Sequence, residues 1–358
     1  MPKAPPRARR RLRPLRIALV GFGNVGRRFA ELLRPAFARA LREAGAEPRV
    51  TGIATANHGA AIDPKGLPIG RALRLVRAGR PLGALHVGAQ IEDNRDFVRR
   101  VPADVLVEIS TLDPRRGEPA LSYVRAALGR GLHVVTANKG PVAVAGAELR
   151  SLAKRRRRLF MFEGAVMDGT PVFNMVERCL PGASILGFRG VLNATTTRIL
   201  SRMEEGATMQ EALAEAQAAG IAEADPSHDV DGWDAAVKAC TLANALMNAG
   251  VTPEGVERRG IGQLSVEDVQ AALSLAQRLR LVARARRQGD EVQVSVAPEG
   301  LLVDDVLASA GADGVLVLET DLMREIGIWQ GAASVDQTAY ALLSDLVAVA
   351  HARAHARA

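Results

Sequence analysis

Between Glu223 and Lys238 the chain reads Glu-Ala-Asp-Pro-Ser-His-Asp-Val-Asp-Gly-Trp-Asp-Ala-Ala-Val-Lys, a run of carboxylates that ends on one lysine. The Pro/Gly-rich part reads as a loop running into a helix. Asp234 and Lys238 are four residues apart, so on that helix they share a face. The neighbours of the lysine, Ala235, Ala236, Val237, Ala239 and Cys240, carry almost no charge. A lysine in such a setting can be held, oriented and tuned by a carboxylate, as proton transfer at a carbonyl requires. For an isolated pair at this spacing a surface salt bridge is the favoured reading. What favours chemistry is a second feature far upstream.

Arg16-Ile-Ala-Leu-Val20 is a short apolar run that reads as a buried strand. It leads into Gly21-Phe22-Gly23-Asn24-Val25-Gly26, and Arg27–Leu33 then has helical periodicity. Strand, GxGxxG and helix together form the context of a dinucleotide site. The first glycine permits the tight turn, the second lets the pyrophosphate approach, and the third lets helix and strand pack closely. The next strand, Arg49–Thr55, ends in Thr55-Ala-Asn-His58, where an NAD site carries an acid. The missing acid leans towards NADP, with NAD as the alternative and Lys65 or Arg71 as candidate phosphate partners. Two further strands, Val105–Thr111 and Leu132–Gly140, end in Ser110, Thr111, Asn138 and Lys139. Ligands of open α/β sheets gather beyond these carboxyl ends, which places the four residues near the nicotinamide.

The elements that must carry these residues follow from length and pattern. A chain of 358 residues suits two domains. Residues 16–162 alternate strand and helix, predicting a Rossmann-type doubly wound parallel sheet, an α/β fold. The Ala60–Ala89 segment reads as a long loop with one helix, and a helix starting near Val144 ends in the basic run Lys154–Arg158, where cations suit the dipole. Residues 163–330 read as an α+β substrate and dimerisation domain, with strands at Gly187–Asn193, Arg258–Leu264, Glu291–Pro298 and Gly314–Glu319. Helices are expected at Thr195–Glu204, Thr208–Ala219 and Trp233–Asn248. Residues 331–358 hold a helix, Val335–His351, expected to return to the nucleotide domain.

The net charge of +8 is concentrated at the amino terminus, where residues 1–16 hold seven basic side chains and no acid. Residues 1–15 therefore read as a solvated, disordered basic tail, with nucleic acid or membrane lipid as the lesser alternative. It has no apolar core of a secretory signal, and no apolar run reaches a membrane span. Cys179 and Cys240 form no metal-binding or CxxC pattern, consistent with a reduced, cytoplasmic protein.

From Arg16 onwards the chain resembles homoserine dehydrogenases. The resemblance rests on Gly21–Gly26, Thr136-Ala-Asn-Lys-Gly140, Glu163-Gly-Ala-Val-Met-Asp-Gly-Thr-Pro171, Gly190-Val-Leu-Asn-Ala-Thr-Thr-Thr197 and the Glu223–Lys238 block. It implies NADPH- or NADH-dependent reduction of L-aspartate 4-semialdehyde to L-homoserine in threonine and methionine biosynthesis, by a homodimer joined through the substrate-domain sheet. It implies Lys238 as proton donor, Asp234 as its orienter, and Lys139 at the junction of cofactor and substrate. Glu223, Asp229 and Thr195 would bind substrate. A monovalent cation, sodium in the family, would be held by the Glu163 side chain and the carbonyls of Val166, Asp168 and Thr170. Asp168, Ala194 and Thr197-Arg198 depart from the residues usual in those motifs and leave room for a related substrate. No ACT-type regulatory segment follows in the sequence, so threonine inhibition through one is not expected. Two other readings compete: a related oxidoreductase for another amino-acid aldehyde or oxo acid, and a nucleotide-sensing or nucleic-acid-binding regulator.

Overall fold

Two six-stranded sheets organise the computed structural model, which describes residues 12–33, 35–308 and 314–355. The first contains β1 (Arg13–Val20), β2 (Ala46–Ala54), β3 (Ala60–Ile62), β4 (Val105–Glu108), β5 (His133–Thr136) and β6 (Phe160–Met161). Their order is β3-β2-β1-β4-β5-β6, parallel throughout except for the β2–β3 pairing. The connecting helices are α1 (Asn24–Leu32), α2 (Pro35–Glu43), α3 (Ile69–Arg77), α4 (Asn94–Arg100), α5 (Ala120–Gly129) and α6 (Lys139–Arg156).

Alternation explains why β1 reads as an unbroken apolar run. Leu15, Ile17 and Leu19 enter one core, and Ala18 and Val20 enter the core on the opposite face. A parallel strand covered on both faces has no solvent side to mark with polar residues. Strand order reverses between β1 and β4, which opens a crevice at their carboxyl ends.

The second sheet runs β12-β11-β7-β9-β10-β8 and is antiparallel apart from β10–β8. Its strands are β7 (Ile185–Val191), β8 (Glu257–Arg258), β9 (Gln277–Gln288), β10 (Glu291–Leu302), β11 (Val315–Thr320) and β12 (Arg324–Trp329). With it go α7 (Val172–Cys179), α8 (Ala194–Glu204), α9 (Met209–Ala218), α10 (Ser227–Val230), α11 (Trp233–Leu246) and α12 (Val266–Ser274). Helix α11 packs on β9 and β10 and also on α6, so it spans the junction of the two domains.

The final helix, α13 (Val335–His355), packs against α1, α2 and β5. Its Leu342, Leu343, Leu346 and Val349 belong to the same core as Leu15, Ile17 and Phe29. Burying each such side chain is worth about 1.5–3 kcal/mol of transfer free energy, so α13 is part of the nucleotide domain's core. No described helix is long and apolar enough to cross a membrane.

Several elements differ from the sequence reading. Residues 1–11 of the expected basic tail lie outside the described residues, while Arg13–Leu15 already pair with Ala46–Pro48. Helix α6 begins at Lys139, where the Asn138 side chain caps it by accepting the Gly140 N–H at 3.0 Å, and it kinks at Ala145 (φ −137°), beside the expected start near Val144. The Ala60–Ala89 segment contains β3 as well as α3. The expected strand Arg258–Leu264 survives only as the two residues of β8. Gly260 sits so close to Val230 and Asp231 that a Cβ would lie 2.2 Å from the Val230 carbonyl, and Ile261 N–H donates to that same carbonyl at 2.8 Å. The chain therefore leaves the sheet to pack beneath α10. Strands β9 and β12 and helices α7 and α12 had no counterpart in the sequence reading.

Candidate active site

The glycine loop joins β1 to α1 at the strand-order reversal. Gly21 has φ +99°, and a Cβ there would stand 2.1 Å from the Ile109 carbonyl, so only glycine makes this turn beside β4. Gly23 caps α1, and a Cβ on it would meet nothing within 4 Å. That open space, at a helix start with no acid in its first turn, suits a pyrophosphate. The two positions predict opposite failures. Gly21→Ala should cost about 2–4 kcal/mol of stability, from strain and collision. Gly23→Ala should leave the thermal midpoint within ~1 °C and weaken dinucleotide binding ~10-fold or more, because the methyl group occupies phosphate space. Calorimetric melting with fluorescence titration of NADPH separates the two; equal behaviour of both variants contradicts the assignment.

A cavity of about 450 Å³ extends from this loop and is lined by Phe22, Thr55–His58, Ser110, Thr111 and Tyr123. No carboxylate lines its β2 end. The cation at this cavity is Arg27, whose guanidinium donates to the Asn24 Oδ1 at 2.7 Å. Lys65 and Arg71, the candidates from sequence, are exposed and do not line it. Asn24 and Val25 form the first turn of α1.

Beneath Ser110 lies a carboxylate that sequence reasoning passed over. Glu108 is fully buried at the end of β4 and accepts from Ser110 N–H (2.8 Å), Ser110 Oγ (2.5 Å) and Thr136 Oγ1 (2.8 Å). Burial pushes its pKa up, against those hydrogen bonds. The Thr136 Oγ1 in turn accepts the Asn138 N–H at 2.9 Å, and Asn138 Nδ2 donates to the Ser110 carbonyl at 3.2 Å. The ends of β4 and β5 are thus locked together, directly before Lys139.

Lys139 and Lys238, 99 positions apart, converge on one carboxylate. Lys139 Nζ is 3.0 Å from Asp234 Oδ1, and Lys238 Nζ is 3.0 Å from Asp234 Oδ2. All three side chains are 17% exposed, so the triad is mostly shielded but open on one side. Lys238 Nζ also donates to the Leu192 carbonyl at 2.7 Å. An ammonium has three protons; two are engaged here and the third is free for a ligand.

Burial by itself would raise the Asp234 pKa, but Lys139, Lys238 and the Asn193 amide together hold it well below the carboxylate range. Burial likewise pulls Lys238 down, and Asp234, helped by Asp168 and Asp229, outweighs it, leaving the lysine pKa raised.

Asn193 is a second residue that sequence reasoning missed. Its Nδ2 donates to Asp229 Oδ1 at 2.6 Å and to Asp234 Oδ2 at 3.0 Å, while its Oδ1 caps α8 through the Thr196 N–H at 2.8 Å. It ties Asp229 to the triad from the end of β7. A sidedness clue existed: an asparagine just before a threonine run at a helix start is a capping position.

The lysines line a cavity of about 210 Å³, with Ala194, Gln330, Thr338 and the Gly164–Asp168 loop as other walls. Asp168 takes a positive φ of 48°, and its carboxylate accepts from Gln330 Nε2 (2.7 Å) and Thr338 Oγ1 (3.0 Å). Thr195 is buried with its hydroxyl 3.4 Å from the Ile221 carbonyl; its neighbour Ala194 lines the cavity instead. Glu223 is exposed on the turn between α9 and α10 and is not part of the cavity wall.

Glu163 has other partners than an ion. It is buried, with Oε1 accepting the Phe173 N–H at 2.9 Å and Oε2 accepting the Asn174 N–H at 2.7 Å and the Asn174 amide. Its carboxylate thereby anchors the start of α7, and burial raises its pKa. Among the described residues no group of three His, Cys, Asp or Glu side chains could hold a metal ion.

A doubly wound nucleotide domain with paired lysines at its carboxyl edge, joined to an α+β domain, defines a two-domain dinucleotide-dependent oxidoreductase. Comparisons with known proteins agree. A family model described as "Homoserine dehydrogenase, NAD binding domain" matches residues 21–163, and one described as "Homoserine dehydrogenase" matches residues 171–347. An NAD(+)-dependent homoserine dehydrogenase of Pseudomonas canavaninivorans is 37% identical over 93% of this chain and 95% of its own length. A homoserine dehydrogenase of Methanocaldococcus jannaschii is 35% identical over 92% of this chain and 97% of its own. The solved structure of a hyperthermophilic archaeal homoserine dehydrogenase in complex with NADPH superposes with a TM-score of 0.77 at 30% identity, covering 94% of this chain and 97% of that one. The chain belongs to the homoserine dehydrogenase family, whose members are NAD(P)-dependent oxidoreductases.

Proposed function

We propose that this chain reduces L-aspartate 4-semialdehyde to L-homoserine with NADPH, NADH serving as the second donor, on the route to threonine and methionine. The observation that carries this reading is the Asp234 carboxylate bridging Lys139 and Lys238 at a small cavity beyond the sheet's carboxyl edge. Bound at Gly21–Gly26, Ser110, Thr111 and Asn138, the nicotinamide cofactor supplies a hydride to the aldehyde carbon. As the carbonyl is reduced, negative charge grows on its oxygen. Lys238 gives that oxygen its free proton, and Lys139 stabilises the charge. Asp234 holds both ammoniums in place throughout, and Asn193 holds Asp234. Asp229, with Glu223 brought in from its turn, takes the substrate amino group, and Thr195 supports the Ala194 wall.

A monovalent cation, sodium by family resemblance, would be held by the carbonyls of Val166, Asp168 and Thr170. Carbonyl oxygens are hard donors and fit such an ion. Glu163 would share its carboxylate between the ion and the N–H donors at the start of α7. A cytoplasmic homodimer is the assembly we expect. Its supporting feature is the outer strand β12 and the turn before it, where Leu322, Met323 and Trp329 are exposed.

The test follows NADPH absorbance after adding L-aspartate 4-semialdehyde, alongside other amino-acid aldehydes and oxo acids. Rapid oxidation with the semialdehyde supports the reading. A folded protein that binds NADPH and turns over only a different aldehyde assigns it to that substrate instead.

Arg27 bears on the choice of donor. With no acid at the β2 end, an arginine on this cavity can take the extra phosphate of NADPH. A charged hydrogen bond of about 1.5–3 kcal/mol corresponds to roughly 10-fold or more in affinity. Arg27→Ala should therefore raise KM for NADPH at least ~10-fold and leave that for NADH within about twofold. A parallel rise for both donors would place Arg27 on the shared pyrophosphate.

A further inference from the structure

The basic run Lys154–Arg158 has no part in the site above, yet the fold assembles it with cations from three other elements. A cleft of about 810 Å³ opens at the amino-terminal edge of the first sheet, opposite the glycine loop. Its floor is formed where β1, β4, β5 and β6 begin, with Asp104 and the buried His133 lining it. Its walls carry Arg130 from the end of α5, Lys154, Arg157 and Arg158 from the end of α6, and Arg353 from α13. Counting Arg16 on β1, six cations face one carboxylate among the described residues that line the cleft.

Part of this charge is structural. Arg16 and Arg353 pair with Asp104 at 2.9 and 3.3 Å. Arg130 donates to the carbonyls of Val98 and Val101, and Arg158 to that of Gly131. Helix carboxyl ends attract cations for their dipoles alone, which accounts for these two arginines. The dipole of α6 favours Lys154, in its last turn, and Arg157, at its C-cap, as well, but does not hold their side chains. Both are exposed, and neither side chain has a hydrogen bond or ion pair with any described residue. The one carboxylate among the described residues lining the cleft, Asp104, is already taken by two guanidiniums.

His133 registers the resulting field. Its Nδ1 accepts the Leu159 N–H at 3.1 Å, so the neutral ring carries its proton on Nε2. Burial, then Arg158 and Arg353, push its pKa down to about 4, with Asp104 opposing.

We propose that this cleft binds a small anion carrying two or more linked phosphates, an inorganic or nucleoside polyphosphate, at a site separate from the dinucleotide pocket. Cations spread over the walls of a cleft this size need a ligand with charge at several points, which a single carboxylate cannot offer. Guanidinium forks match phosphate oxygens in pairs, and lysine adds a mobile point charge. A concave floor closed on one side by α13 suits a compact ligand, whereas a long nucleic acid needs a continuous stripe.

The experiment uses the full chain saturated with NADPH, so that the dinucleotide pocket is filled, and titrates inorganic pyrophosphate and tripolyphosphate by calorimetry. One-to-one binding is expected. The Lys154→Gln, Arg157→Asn double variant should weaken it at least tenfold while thermal midpoint and NADPH affinity stay unchanged. Asparagine is chosen because residue 157 has φ +54°, which it tolerates. On the native chain, the bound anion should raise the His133 pKa seen by NMR, since it offsets Arg158 and Arg353. Absence of binding at millimolar anion, binding lost when NADPH saturates, or equal binding by the double variant each overturns the proposal. So does a His133 signal that does not move. Tight capture of duplex DNA through Lys154 and Arg157, with no pyrophosphate binding, would overturn the small-ligand assignment in favour of nucleic acid.

Discussion

Lys238→Ala is expected to lower kcat for aldehyde reduction by about 10²–10⁴, the range of a positioned general acid, or about 3–5 kcal/mol of barrier. NADPH affinity should change little, because Lys238 lies on α11 and lines the small cavity, away from the glycine loop. The fold should tolerate the change: Asp234 keeps Lys139 at 3.0 Å and the Asn193 amide at 3.0 Å, so no buried carboxylate is left alone. Two further measurements distinguish a proton donor from a structural lysine. Small primary amines should restore part of the activity, more so for amines whose acidity suits the transfer. Lys139→Ala should lower the rate and move the alkaline limb of the pH profile to higher pH, since the Lys238–Asp234 pair remains and a neighbouring like charge is gone. Full activity in Lys238→Ala would move the acid role to Lys139, the other ammonium on Asp234.

What the sequence made legible has a physical pattern. The strand, glycine turn and helix from Ile17 to Leu32 were readable because each part is decided locally: buried strands are apolar on both faces, and the φ of Gly21 excludes other residues. The Asp234–Lys238 pair was readable because four residues make one helical turn. The convergence of Lys139 on Asp234 was not, because it depends on α6 packing against α11, a tertiary contact between segments 95 residues apart. Strand β9 stayed hidden for a related reason. Its arginines argue against burial, yet Arg280 is 1% exposed because Glu204 meets it at 2.7 Å, and Arg284 is gripped by Glu299 at 2.6 and 2.7 Å. The neutralising partners lie elsewhere in the chain. Glu108 was overlooked likewise: a lone acid at the end of an apolar strand gives no sign that Ser110 and Thr136 will satisfy it.

Asp234→Asn is expected to have the second large effect, and its signature lies in pH. In the native triad one carboxylate neutralises two ammoniums, and the raised Lys238 pKa keeps the proton donor charged through neutral and mildly alkaline pH. The amide has nearly the same shape but no charge. Lys139 and Lys238 then face each other in a mostly shielded site with only the weaker pull of Asp168 and Asp229 to offset them, and like charges in such a place disfavour the charged form. The alkaline limb of the reductive kcat/KM profile should therefore move towards neutrality by about 1–3 pH units. The sign is fixed by chemistry: reduction needs protonated Lys238 and fails as pH rises through its pKa. Oxidation of homoserine needs the neutral amine as base. At pH 8 the variant should consequently lose more of its reductive than of its oxidative activity, relative to the native chain. Asp234→Ala removes the shape as well and should lose both directions together, with a lower thermal midpoint from two unpaired, partly buried cations. An Asp234→Asn profile whose limb stays in place, at whatever rate, would mean that Asp234 orients the lysines without setting their charge.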